Sequence, residues 1–276
     1  MGIALRYFVF CLLLTRTALI AQTALPSEQE NPQSQPAKAE QLFALSNQAR
    51  AAAGLGRLAW DPALADAALK HCMRMAIEGP IAHRYGGEAS LQERTAGAGS
   101  HFSLIEENLA VASNAASVHQ GWLDSPEHRA NLFSPSIDRV GVGVVAFKGV
   151  IFAVADYSRA VPVLAQAQVE FEISALLQSK GISVGKDPHD ARAACELEHG
   201  PPRSISGPQP LSVVRWQDSS LAQLPKSLAD KIATGDYRRA SVGSCTAKDV
   251  EGKFTVYRVA VMLFGPPSTN DLKPFY

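Results

Sequence analysis

An excess of charge of either sign is missing from this sequence, in which 26 Lys and Arg residues balance 26 Asp and Glu residues over 276 positions. No overall field draws the chain to nucleic acid or to an anionic membrane surface, so polyanionic partners are disfavoured. Glycine-rich phosphate loops, paired Cys-x-x-Cys groups and His-Glu-x-x-His helices are absent too, which sets aside the usual nucleotide and zinc signatures. The N-terminal apolar run, Tyr7 to Leu14, is too short to span a bilayer and is followed by Arg16, so no stable membrane anchor is expected. Cysteines are few, four in all.

What is there starts with signal-peptide grammar. Arg6 precedes the apolar run, and small residues follow in Ala18-Leu-Ile-Ala-Gln-Thr-Ala24. Cleavage is expected between Ala21 and Ala24, giving a secreted, extracellular or periplasmic protein. Cys11 leaves with the signal. Three cysteines then remain in a compartment where thiols oxidise. Cys195 and Cys245 are the expected couple, whereas Cys72 falls on the apolar face of a helix and reads as a buried hydrophobe. Residues 24–38, rich in Pro and Gln and lacking aromatic and β-branched side chains after Thr23, read as a disordered spacer.

The next stretch, 39–160, reads as one α/β domain. Leu42, Leu45, Ala49 and Ala52 recur at helical spacing, with Gly54 placed for a left-handed cap. Asp61-Pro62 announces a second helix carrying Leu64, Ala68, Cys72 and Met75, and Gly79-Pro80 stops it. A short helix is expected near Leu91 to Thr95, a strand at Ile105 to Ala112 and a helix through Val118 to Leu123 after Asn114. Ser125-Pro126 then opens one more helical turn. Two apolar strands, Arg139 to Phe147 and Val150 to Tyr157, joined by Lys148-Gly149, close the domain as a hairpin. Strands so uniformly apolar are covered on both faces, which predicts a three-layer α-β-α sandwich.

Beyond Ala160 the sequence predicts a small α+β module over 161–276: a helix from Gln166 to Lys180, a linker or long loop from Asp187 to Pro210, and a strand at Ser212 to Trp216. A helix from Leu221 to Thr234 and two antiparallel strands, Arg238 to Thr246 and Phe254 to Phe264, complete it. A Cys195–Cys245 bridge contributes about 3–4 kcal/mol on the loop-entropy view. Asp190, Arg192, Glu196 and Glu198 read as a solvated polar face.

Four local clusters carry the candidate chemistry: Ile81-Ala-His83, Glu106-Glu-Asn-Leu-Ala110, Trp122-Leu-Asp-Ser125 and Ser125-Pro-Glu-His-Arg-Ala-Asn-Leu132. Together with Leu45-Ser-Asn-Gln-Ala-Arg-Ala-Ala-Ala-Gly54 and Leu58-Ala-Trp-Asp-Pro-Ala-Leu64, they form an ordered series. In it the chain resembles the CAP superfamily of cysteine-rich secretory, antigen 5 and pathogenesis-related 1 proteins, in its bacterial form. The resemblance implies an α-β-α sandwich with a cleft lined by two histidines and two acids. His83 maps to the first histidine, Glu107 to the first acid and His128 to the second histidine. Ser125 stands where the second acid is expected, and Asp124 and Glu127 are the candidates to replace it.

His83, His128 and Glu107 would give a divalent metal, zinc best of all, two imidazoles and one carboxylate, with water completing the shell. Without metal the same groups are an acid–base set. Glu107 has a structural alternative as acceptor for backbone N–H groups or for Arg129, and Asn108 as a turn or strand-edge bracket. A Ser125-His128-Glu107 triad is disfavoured, because Ser125 is better explained as a helix cap. His71 reads as packed, His101 and His119 as solvated, and Trp60 and Trp122 as core. The resulting expectation is a module whose cleft binds a small ligand, lipid, envelope component or metal. The alternative is a peptidase-like hydrolase acting on envelope or extracellular substrates.

Overall fold

The computed structural model describes residues 31–248, 250 and 253–266. The signal peptide, Cys11 and the spacer up to residue 30 lie outside the described residues. The end of the expected spacer is ordered, in a correction to the sequence expectation. Strand β1 (Gln33–Ser34) pairs antiparallel with Ala146 and Val145, and helix α1 (Pro36–Ala52) begins with a proline in its first turn. Composition reports neither effect, since both come from partners elsewhere in the chain.

Strand β2 (Ala59–Trp60), helices α2 (Pro62–Glu78) and α3 (Leu91–Gly97), and strand β3 (Phe102–Ala112) follow. Helices α4 (Ala115–Asp124) and α5 (Pro126–Leu132) lead into the hairpin β4 (Arg139–Phe147) and β5 (Val150–Ala160). Lys148 and Gly149 both have positive φ, 50° and 78°, as a tight two-residue turn between right-twisted strands requires. The sheet runs β1-β4-β5-β3, with β2 parallel on the outer side of β4, so β3 lies at the opposite edge.

Side-chain alternation makes the layers. Val140, Val142 and Val144, with Ile151, Ala153, Ala155 and Tyr157, bury against Leu42 of α1 and Val118 and Trp122 of α4. Val145, Val154 and Leu109 bury on the other face against Ala68, Cys72 and Met75 of α2. This is an α-β-α sandwich. Cys72 is a free, buried thiol whose Sγ donates to Phe152 O at 3.1 Å, and burial pushes its pKa up.

On the α2 face, β4 presents Gly141 and Gly143. A Cβ on Gly141 would land on the backbone of Leu64 and Ala65, and one on Gly143 on that of Ala68 and Leu69. Helix α2 therefore rests on strand backbone rather than on side chains. Its start is fixed by Asp61, whose Oδ1 accepts from Ala63 N at 2.9 Å and Leu64 N at 3.1 Å.

The remaining chain repeats the scheme on a smaller scale, with helix α6 (Gln166–Ser179), strand β6 (Ser183–Val184), helix α7 (His189–Glu196) and strand β7 (Ser212–Asp218). Helix α8 (Lys226–Ala233) and strands β8 (Arg239–Cys245) and β9 (Tyr257–Phe264) complete a sheet ordered β6-β8-β9-β7. Val259, Val261 and Leu263 pack with Ile173 of α6 and Leu228 of α8. Ala260 and Met262 pack on the other face with Ala191 and Ala194 of α7.

Helix α7 lies inside the stretch expected to be a linker. Its polar, alanine-rich sequence hides it, since small side chains suffice where Gly243 lets the helix touch β8 backbone. Cys195 of α7 is bridged to Cys245 of β8, as expected. Arg192 is partly exposed, and it is paired as well. It forms a two-pronged pair with Glu170 of α6, both contacts 2.7 Å, and Glu170 also accepts from Ser244 N at 3.0 Å. Asp190 likewise accepts from Ser206 N at 2.9 Å. Helix α8 starts at Lys226 rather than near Leu221, because Pro225 is its extended N-cap.

Gly143→Ala is expected to cost about 3 kcal/mol, since its methyl group overpacks against helix backbone that cannot rotate away. Gly121→Ala, in open space on α4, should instead stabilise by up to ~1 kcal/mol. Paired thermal and urea melts of both variants check this.

Candidate functional site

His83 sits in the connection between α2 and α3, which α2 pins through polar side chains. Buried His71 reaches Glu88 Oε1 with Nδ1 at 2.7 Å and Ala82 O with Nε2 at 3.0 Å, so it is packed as expected. Glu88 accepts in turn from Tyr85 N at 2.9 Å, and Arg74 donates to Gly86 O at 2.6 Å. The loop is thus a folded extension of α2.

From this loop His83 Nδ1 reaches Glu107 Oε1 at 2.7 Å. The Glu107 side chain is buried, 2% exposed, whereas that of His83 is 66% exposed. The carboxylate can only accept, so Nδ1 carries the proton, and Nε2 is the remaining polar atom of a largely exposed ring. The bond to Glu107 raises the His83 pKa, with burial working against it. Glu107 Oε2 is taken by Arg94 of α3, whose guanidinium also donates to His83 O at 3.2 Å. Helix α3 begins with a reciprocal cap in which Ser90 and Glu93 bond each other's backbone N–H.

His128 comes from α5 on the other side of β3. The helix is riveted to the strand edge by two asparagines: Asn108 Nδ2 donates to His128 O at 2.9 Å, and Asn131 Nδ2 donates to Asn108 Oδ1 at 3.0 Å and to Glu107 O at 3.2 Å. Asn108 is therefore the strand-edge bracket anticipated for it. Burial lowers the His128 pKa, and the charge on His83 lowers it further. Ser125 Oγ faces His128 N at 3.5 Å as the helix cap, which is not the geometry of a nucleophile. Glu127 has an electrostatic effect on both histidines, whereas Asp124 is exposed and accepts from Gln120 at 2.8 Å.

A further acid lies beneath. Asp156 is the register partner of Glu107 on one side and of Gly141 on the other, it is fully buried, and neither of its oxygens receives a hydrogen bond. Burial, and then the charge of Glu107, drives its pKa well up, with Arg94 opposing. Burial beside the Glu107 carboxyl therefore disfavours the charged form of Asp156.

Four sequence expectations change here. With both Glu107 oxygens engaged, the carboxylate is a support for His83 rather than a free ligand. Among the described residues no group of three or more His, Cys, Asp or Glu side chains is arranged to hold a metal ion. His119 is buried, not solvated, on the same side of α4 as Val118 and Trp122. Trp60 is 37% exposed, since β2 lies on the outside of the sheet, and it packs edge-on to Phe43 with centroids 5.4 Å apart. The Glu107 partner is Arg94 rather than Arg129. Sequence reasoning passed over Arg94, Asn131 and Asp156. Only Asp156 carried a signal, as a lone acid in an otherwise apolar strand.

Residues 43–157 match the family described as the cysteine-rich secretory protein family, CAP. That segment, less than half of the chain, carries the pattern of the CAP family. It is 32% identical over 107 residues to the uncharacterized membrane protein YlbC of Bacillus subtilis, a match covering 38% of this chain and 31% of that protein. An extracellular protein containing a SCP domain from Bacillus anthracis is similar in structure, with 30% identity, a TM-score of 0.42, and coverage of 45% of this chain and 41% of that one. A structure of NaASP2 with Zn2+ is similar at 13% identity and a TM-score of 0.33, covering 45% of this chain and 80% of that one. The chain thus spans well under half the length of its first two relatives. Among the described residues, no helix is long and apolar enough to cross a membrane.

A carboxyl group whose folded pKa is raised stabilises the fold fully below its unfolded pKa, and that contribution is lost as pH rises through the folded value. Asp156→Asn removes the penalty of ionising the site. Its melting temperature relative to wild type should therefore climb as pH rises above the usual carboxylate range, and a pH-independent difference would show that the Asp156 pKa is not raised.

Proposed function

We propose that this chain is an exported CAP-domain binding module whose site is the imidazole pair His83 and His128, taking a divalent metal, zinc best, together with a small polar ligand. The carrying observation is the 2.7 Å bond between His83 Nδ1 and Glu107 on a largely exposed ring, which leaves Nε2 as the remaining polar atom. A carboxylate behind an imidazole is the usual support of a metal-binding histidine, fixing tautomer and ring orientation. Two imidazoles suit zinc by donor type, while Glu107, occupied by His83 and Arg94, does not serve as the third ligand. A bound metal would supply an electrophilic centre with positions open to water or ligand. The residues themselves orient: Glu107 aims His83, and Asn108 and Asn131 hold the helix bearing His128.

Export is supported by the signal-like N-terminus and by the Cys195–Cys245 disulfide. Binding is favoured over hydrolysis because Ser125 serves as a cap and the polar cluster is tied up in orienting His83. The charged lining favours a polar ligand over a lipid.

Zinc titration of the mature protein by calorimetry tests this reading. His83→Ala and His128→Ala should each abolish saturable binding, and Glu107→Gln should weaken it on the order of 10–100-fold. Equal affinity in wild type and the double histidine variant would refute the site. For the hydrolase alternative, turnover of a peptide and ester panel that disappears in His128→Ala would replace binding as the function.

A further inference from the structure

The C-terminal sheet meets the CAP domain through the residues just before β9. Thr255 N–H donates to Phe102 O at 2.8 Å, and Thr255 Oγ1 lies 3.4 Å from His101 Nδ1. The Phe254 ring meets Phe102 edge-on, with centroids 5.8 Å apart and planes at 86°. The Tyr257 hydroxyl donates to Pro162 O, closing the segment against the chain that leaves the CAP domain. Phe254 belongs to a small apolar cluster with Leu64 of α2, Ile105 of β3, and Leu91 and Ala96 of α3. Next to it, the charge of Lys253 reaches Glu93 in the first turn of α3.

What α3 carries makes this contact matter. The helix has seven residues, too few to persist by their own hydrogen bonds, so its position depends on its cap and on what packs against it. Leu91 and Ala96, which touch the Phe254 cluster, flank Arg94, and Arg94 covers Glu107 Oε2 and holds His83 O. An aromatic side chain from outside the family-matched segment thereby packs against the same apolar cluster as the helix that carries Arg94.

We infer that Phe254 is a positioning residue for the histidine site: by clamping α3 against β3 it keeps Arg94 on Glu107, so that the C-terminal module sets whether Glu107 is a held support or a free carboxylate. This rests on the metal-binding reading above for its functional consequence, though not for its structural one. Once α3 loosens, Glu107 Oε2 is released and the site gains a third potential ligand. The C-terminal module then restrains the cleft.

The test combines hydrogen exchange with zinc titration on the full mature chain. In Phe254→Ala, exchange at the α3 amides, including Ala98 N–H, should accelerate on the order of tenfold while β4, β5 and β9 keep wild-type protection, and zinc affinity should rise, because a carboxylate oxygen joins the two imidazoles as a third donor. Phe254→Leu should restore both. In an Arg94→Gln background, Phe254→Ala should leave zinc affinity unchanged, because the two act through one contact. Unchanged α3 exchange in Phe254→Ala, or an undiminished affinity change in the Arg94→Gln background, would overturn the inference. If wild type binds no zinc, the proposed function fails by itself, and α3 exchange alone decides for or against the Phe254 clamp.

Discussion

The close approach of α2 to β4 is the constraint on which the rest of the CAP domain depends. Gly141 and Gly143 let helix backbone rest on strand backbone, and any side chain there would lift the helix off the sheet. Everything carried by α2 is placed by that contact. His71 and Arg74 project from it to pin the following loop, and the loop presents His83 above Glu107. A packing decision made in the core is therefore read out as the position of a ring at the surface. The smaller sheet uses the same device, with Gly243 admitting α7.

The polar groups of the site form a graded stack. Asp156 lies deepest, where burial raises its pKa, Glu107 is bonded by Arg94 and His83, and His83 is the outermost group. Two carboxyl groups side by side under one exposed imidazole give that ring a fixed orientation. Placing His128 beyond the strand edge on a helix held by two asparagines adds a second ring of opposite tendency, with its pKa lowered where that of His83 is raised.

The elements that could be read from sequence are those governed by local chemistry. The N-caps Asp61, Asn114 and Ser125, the Lys148-Gly149 turn, and the uniformly apolar β4 and β5 all declare themselves within a few residues. The disulfide followed from pairing three cysteines, with Cys72 set aside by its helical face. Elements that depend on distant partners could not be seen: β1 forms because β4 has a free outer edge, and α7 because Gly243 makes room. In the site, His83, Glu107 and His128 were legible as an ordered series of motifs. That Glu107 would be spent on Arg94 was not, since α3 and β3 are brought together only by tertiary packing.

Cys72 has a consequence for how the chain matures. The three cysteines among the described residues, Cys72, Cys195 and Cys245, can pair wrongly where thiols oxidise, because a free thiolate attacks an existing bridge through a mixed disulfide. Cys72 is fully buried on the inner face of α2, its Sγ–H donates a hydrogen bond to Phe152 O, and its apolar surroundings hold it as the unreactive thiol. Packed between α2 and the first sheet, this third sulfur is withdrawn from exchange with the Cys195–Cys245 bridge.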